Sequence, residues 1–154
     1  VKNRKDKYLG NDYMSEIKKG LLFSRVDQIG VVVKDVERTA RFYEKLLKQE
    51  PLPPIEFETG NVKLKIVFFQ LGEVQLELIQ VLEGENVHTK FLRERGEGLH
   101  HIGFFVKNLE EELAALKNEG IEVLWRGEAL GVTKFAYLDT EKTLGIILEL
   151  IQFD

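Results

Sequence analysis

The chain predicts an α+β fold built from two tandem βαβββ modules whose strands form a curved mixed sheet around a metal cavity. Three observations carry this. The word LELIQ occurs twice, at Leu76–Gln80 and Leu148–Gln152. The stretch Val26–Leu47 lies over Leu99–Gly120, with Gln28-Ile29-Gly30 on His101-Ile102-Gly103 and Val33-Lys34-Asp35 on Val106-Lys107-Asn108. The two matches share nearly one offset, 28 to 101 being a step of 73 and 76 to 148 a step of 72, as duplication of a whole module requires.

Each module opens with a β-branched or aromatic run, Val26–Val33 and His101–Val106, that reads as a strand. Asp35 and Asn108 are good N-caps for helices over Val36–Lys48 and Leu109–Glu119, whose apolar residues recur at helical spacing, and Gly120 is placed to end the second helix. Pro51–Pro54 interrupts regular structure before a short strand Ile55–Glu58, matched by Glu122–Trp125. Strands Val62–Leu71 and Glu73–Gln80, split by Gly72, close the first module. Strands Val132–Asp139 and Leu144–Ile151, split by the DTEKT stretch, close the second. Between the modules, His88–Arg95 reads as a short helix ending at Gly96.

The organisation is therefore an N-terminal extension, residues 1–24, and one domain, 25–154: a first module of about 25–80, a linker 81–98 and a second module of about 99–154. Val1–Leu22 is mixed in charge and weakly periodic and reads as a frayed extension, with Met14, the only methionine, a candidate natural start. With 154 residues, 44% of them hydrophobic, the chain is long enough to bury a core of its own.

A net charge of −4, from 22 basic and 26 acidic residues, gives no electrostatic footprint for nucleic acid or an anionic membrane. A small-molecule substrate is the expected partner. Without cysteine, disulfides, thiolate chemistry and finger-type zinc sites are excluded. No apolar run reaches the roughly 18–20 residues of a membrane span, and the opening residues are no signal-peptide core, so a cytoplasmic protein is expected.

The glutamates of the repeated word then need a reason. Gln75, Glu77 and Ile79 share one strand face, Ile147, Glu149 and Ile151 its counterpart, and the opposite faces are apolar as well. Strands apolar on both faces are central and buried. A buried carboxylate must be paired, protonated or bound to a metal. Edge strands with the glutamates reaching solvent, Arg25 or Arg126 would suit one such residue better than two at equivalent positions.

Registration with Gln28 selects His101 rather than His100, which strict alternation turns to the opposite face and leaves a packing or supporting role. Modules facing one another about a pseudo-two-fold axis place Gln28, Glu77, His101 and Glu149 in one cavity. Two carboxylates, an imidazole and an amide oxygen suit one divalent ion, Zn²⁺, Ni²⁺, Co²⁺ or Mn²⁺, with positions left for water or substrate. Phe68-Phe69 and Trp125 are candidates for the pocket lining but core residues by default, and the loop glycines Gly84, Gly96, Gly98, Gly127 and Gly131, candidates for substrate closure, read better as turn residues.

With these words in place, the chain resembles the vicinal oxygen chelate superfamily, the glyoxalase I and methylmalonyl-CoA epimerase group, from Arg25 to Phe153. Paired βαβββ modules, HIG-like openings and terminal ELI strands are its marks, and the implied architecture is the glyoxalase/bleomycin resistance/dioxygenase fold. Phe91–Val123 and Phe135–Leu150 are most similar to the epimerases. The resemblance implies metal ligands at Glu77, His101 and Glu149. Where epimerases usually carry histidine the chain has Gln28, as some glyoxalases I do, a neutral and weaker donor.

The implied activity is abstraction of a proton α to a carbonyl with stabilisation of the enolate, most like methylmalonyl-CoA epimerase, with Glu149 as catalytic base at the metal. Epimerisation needs a second acid on the opposite face, for which Glu56 and Glu58 are candidates. The alternatives are a lyase of the glyoxalase I (lactoylglutathione lyase) type, isomerising a thiol hemithioacetal instead of an acyl-CoA thioester, and a metal-free binding or resistance protein. Dioxygenase relatives use two histidines and a glutamate for iron, and Gln28 speaks against them. A homodimer is also implied.

Overall fold

The computed structural model describes residues 25–153, so the expected extension 1–24, with Met14, and the last residue, Asp154, lie outside the described residues. The order is β1 (Gln28–Val32), α1 (Val36–Leu47), β2 (Ile55–Thr59), β3 (Val62–Leu71), β4 (Val74–Glu83), α2 (Val87–Arg95), β5 (Gly98–Phe105), α3 (Leu109–Asn118), β6 (Val123–Ala129), β7 (Thr133–Leu138), α4 (Glu141–Leu144) and β8 (Ile147–Phe153). Both modules have the expected βαβββ succession, with the short helical turn α4 inserted before the last strand of the second.

The caps act as their residue types dictate. Asp35 accepts from Arg38 N–H at 2.9 Å and Asn108 from Glu111 N–H at 3.3 Å. The first helix stops at Leu47 because Lys48 turns left-handed, at φ 52°. The corresponding helix of the second module, α3, stops at Asn118, with the Ile121 N–H closing back on the Leu116 carbonyl at 3.0 Å.

One eight-stranded sheet has the order β2-β3-β4-β1-β5-β8-β7-β6. At its centre β1 and β5 run antiparallel, each flanked by the last strand of its own module in parallel, β4 beside β1 and β8 beside β5. The outer strands meet: Thr59 of β2 occupies the space that a Cβ on Gly127 of β6 would need, so the sheet curls nearly closed. Gly127, like Gly98 at the start of β5, is thus a strand residue and not the expected turn.

Both repeated words are interior strands, and their leucines face helices. Leu76 and Leu78 pack with Val36 and Ala40 of α1, and Leu150 with Leu109, Leu113 and Leu116 of α3. Each such fully buried leucine contributes about 1.5–3 kcal/mol. The closing glutamine of each word ties strand to helix: Gln80 Oε1 accepts from Val36 N–H at 3.0 Å and Gln152 Oε1 from Leu109 N–H at 2.8 Å. These are first-turn donors that the helices themselves leave unpaired.

Two further expectations give way. The strand foreseen from Leu144 begins at Ile147, because residues 141–144 make a helical turn closed by Leu144 N–H on the Thr140 carbonyl at 2.7 Å, and Gly145 follows at φ 77°. Strict alternation also fails in β5. Its register against β1 passes from Gly30↔His101 to Val31↔Leu99, so His100 is the extra residue of a β-bulge. The bulge sets the His100 ring beside His101 instead of on the opposite face, with Nδ1 to Nδ1 at 3.0 Å.

Candidate metal centre

The four central strands, β4, β1, β5 and β8, each bring one side chain to a common point. Three atoms surround His101 Nε2: Glu149 Oε2 at 2.9 Å, Glu77 Oε2 at 3.4 Å and Gln28 Oε1 at 3.4 Å. All four residues are buried, His101 completely. The expected set is brought together without exception, while Arg25 pairs with Asp27 and Glu73, and Arg126 with Glu110.

Glycines make the crossing possible. Gly30 stands beside Glu77 on β4 and opposite His101 on β5, and Gly103 stands beside Glu149 on β8 and opposite Gln28 on β1. A Cβ on Gly30 would fall on the His101 ring, and one on Gly103 would lie 2.9 Å from Gln28 Cβ. The glycine of each Q/H-I-G word therefore clears room for the other module's ligand.

Glu77 Oε2 and Glu149 Oε2 are both buried without a hydrogen bond, although both approach His101. One imidazole N–H cannot serve both. Burial alone would discharge the His101 ring, but Glu149 and then Glu77 outweigh it and push its pKa up to about 9. The Glu77 carboxyl is pushed up by burial, pulled down by His101 and pushed up again by the Glu149 charge. Oxygen-rich, convergent and short of hydrogen bonds, the set fits a divalent cation.

Gln28, Glu77 and Glu149 open on a cavity of about 260 Å³ whose other walls are mostly apolar, with Phe57, Phe68, Trp125 and Phe135 among them. Trp125 and Phe68, core residues by default in the sequence, are walls here. Phe69 is core, fully buried under α1. Glu56 and Glu58 project from the opposite face of β2 to Ile55 and Phe57, and Glu56 pairs with Lys63 and Lys65 at 3.7 and 3.5 Å.

Two residues of the site, Tyr137 and His88, escaped the sequence reading, and a third, His100, was expected on the opposite face. Tyr137 pairs with Glu149 across β7 and β8, and burial, followed by the charges of Glu149 and Glu77, holds its phenol well above the usual range. His100 and His88 complete a buried histidine group with His101. Burial and then the His101 charge press His100 down to about 3, and burial chiefly holds His88 well below the ordinary imidazole range. The Tyr137 register follows from the strand alignment; His88 had no counterpart in the first module to signal it.

A family model described as the Glyoxalase/Bleomycin resistance protein/Dioxygenase superfamily matches residues 27–137. The chain is 34% identical over 131 residues to the uncharacterized protein YqjC of Bacillus subtilis strain 168, an alignment covering 84% of the chain and 92% of that relative. It is 27% identical to mitochondrial methylmalonyl-CoA epimerase of Bos taurus, over 83% of the chain and 74% of the relative. Among solved structures, a Streptomyces coelicolor methylmalonyl-CoA epimerase variant in complex with 2-nitronate-propionyl-CoA superposes with a TM-score of 0.72 at 23% identity, over 85% of the chain and 95% of that structure, a likeness of fold.

Proposed function

The chain belongs to the Glyoxalase/Bleomycin resistance protein/Dioxygenase superfamily, and from that premise we propose that it is a metal-dependent isomerase removing a proton α to a thioester carbonyl, as a methylmalonyl-CoA epimerase does. One observation carries the reading: two buried carboxylates, an imidazole and an amide oxygen converge, with both carboxylates short of hydrogen bonds, at the wall of an apolar cavity.

A divalent cation held by Gln28, Glu77, His101 and Glu149 supplies Lewis acidity toward a carbonyl oxygen, worth several kcal/mol in the transition state. The residues do the rest. Glu149 takes the proton from carbon, a positioned base being worth roughly 10²–10⁴-fold. Glu77 comes from the symmetry-related strand, and its carboxyl, whose pKa burial raises, would in its protonated form return a proton to the other face of the planar enolate, since Glu56 and Glu58 project away. Tyr137, the cross-strand neighbour of Glu149, orients that carboxylate, and the aromatic walls keep bulk water from the carbanion.

A lyase of the glyoxalase I type is the second reading. It is favoured by Gln28 as the amide donor and by a proton transfer between adjacent carbons that a single base can perform. The working unit is proposed to be a homodimer, for which exposed Phe42 and Leu46, one turn apart on α1, offer an apolar contact.

The test is solvent deuterium entry at C2 of methylmalonyl-CoA with the metal-loaded protein. Exchange should fall at least 100-fold in Glu149→Gln with the ion retained. Failure of the metal-loaded wild type to exchange, with turnover of a methylglyoxal–thiol adduct, would replace this reading by the second.

A further inference from the structure

One imidazole in the cavity wall has no part in the chemistry above. His88 sits in the first turn of α2, behind the N-cap Asn86. Asn86 Oδ1 accepts from the backbone N–H groups of His88 and Thr89 at 3.0 and 3.1 Å. Backbone N–H groups only donate, so this fixes which end of the amide is oxygen. The remaining Nδ2 lies 3.1 Å from His88 Nδ1, and because an amide nitrogen only donates, Nδ1 is the acceptor. A neutral imidazole then carries its proton on Nε2.

His88 Nε2 is buried and has no partner. His100, the nearest ring at 4.7 Å between centroids, has its Nδ1 turned to His101. Edge contacts with Tyr137, at 5.1 Å and 90°, and Trp125, at 5.8 Å and 86°, hold the His88 ring in the wall that also carries Gln28, Glu77 and Glu149. A buried donor without an acceptor is destabilising, and it persists where function brings the acceptor in.

We propose that His88 Nε2–H is a substrate-reading donor that hydrogen-bonds a second oxygen function of the ligand, the carbonyl or carboxylate borne next to the carbon that loses its proton. The substrate class is thereby narrowed to acyl thioesters with such an oxygen, of the malonyl type, as against plain acyl chains. This rests on the reading of the cavity as the substrate site. The donor is local to α2, and its tautomer is set by Asn86 independently of any ion.

The experiment uses the metal-loaded protein and malonate as the probe. Nitrogen-15 NMR of the wild type should show His88 as the Nε2–H tautomer, with that resonance moving on malonate addition. Calorimetric malonate affinity should fall at least tenfold in His88→Phe and be largely kept in His88→Gln, which retains an N–H donor, while both variants hold as much metal as the wild type.

An Nδ1–H tautomer, an unmoved resonance, no malonate binding by the wild type, or equal affinity in His88→Phe would overturn the proposal. So would a second equivalent of metal that His88→Gln loses, which would make the three histidines a metal site. The enzymatic reading fails separately, on absent C2 exchange, because the tautomer and the malonate response are read whether or not the protein turns over.

Discussion

Gly30 faces His101 across the antiparallel β1–β5 pair, and the space above its Cα is filled by the imidazole. A methyl group there has nowhere to go, because the ring is completely buried. Gly30→Ala is therefore expected to displace His101, weaken metal binding by at least about 10- to 100-fold, the range seen when a ligand loses its support, and cost about 1–3 kcal/mol of stability through overpacking. Gly103→Ala meets Gln28 and Ile151 side chains at 2.9–3.2 Å, a much smaller overlap than the 1.9 Å at Gly30. Its effect should be smaller. Metal titrations and urea unfolding of the two variants check the order.

Metal binding should depend on pH with a definite sign. In the metal-free protein the His101 pKa is pushed up to about 9 by the carboxylates. An entering ion must displace that proton, so the apparent affinity should rise about tenfold per pH unit from pH 6 toward 9 and then flatten. Calorimetry in buffers of different ionisation enthalpy should show about one proton released per ion at pH 7. A flat profile would mean that His101 is not the ligand.

Acid stability reads the bulged neighbour. His100 is held at about 3, below the ordinary 6.5, so the unfolded chain takes up a proton that the fold refuses. Its contribution is present in full above pH 6.5 and is lost as pH falls from there toward 3, at about 1.4 kcal/mol per pH unit within that window. Urea midpoints of the metal-free protein between pH 7 and 5 should fall more steeply in the wild type than in His100→Gln.

The glutamines that close the repeated words should behave alike. Gln80→Ala and Gln152→Ala each strand a first-turn N–H, at an expected cost of about 1 kcal/mol. If the two helix anchors are independent, the double variant should lose the sum in chemical denaturation.

Much of this was legible because a duplicated sequence carries its own control. Glu77 and Glu149 were marked as inward by apolar residues on both faces of their strands, and the offset between Gln28 and His101 put those two in register. Lost to that approach was whatever depends on departures from period two. The bulge at His100 inserts one residue that alternation cannot count, and so hid a buried neighbour of the ligand. The helical turn over residues 141–144, closed on the Thr140 carbonyl and ended by Gly145, is a single turn, too short for apolar periodicity to mark. Trp125 and Phe68 have the composition of core residues. That they face a cavity follows from the closure of the sheet between Thr59 and Gly127.

The exchange of room between Gly30 and His101, and between Gly103 and Gln28, also bears on why the halves are joined. Two identical half-length chains meeting about a true two-fold axis would be compelled to present the same residue at both positions, imidazole twice or amide twice. Covalent linkage lifts that constraint. With one chain supplying both sides, the coordination sphere can be made handed, and a prochiral carbon placed in it meets two chemically unlike walls.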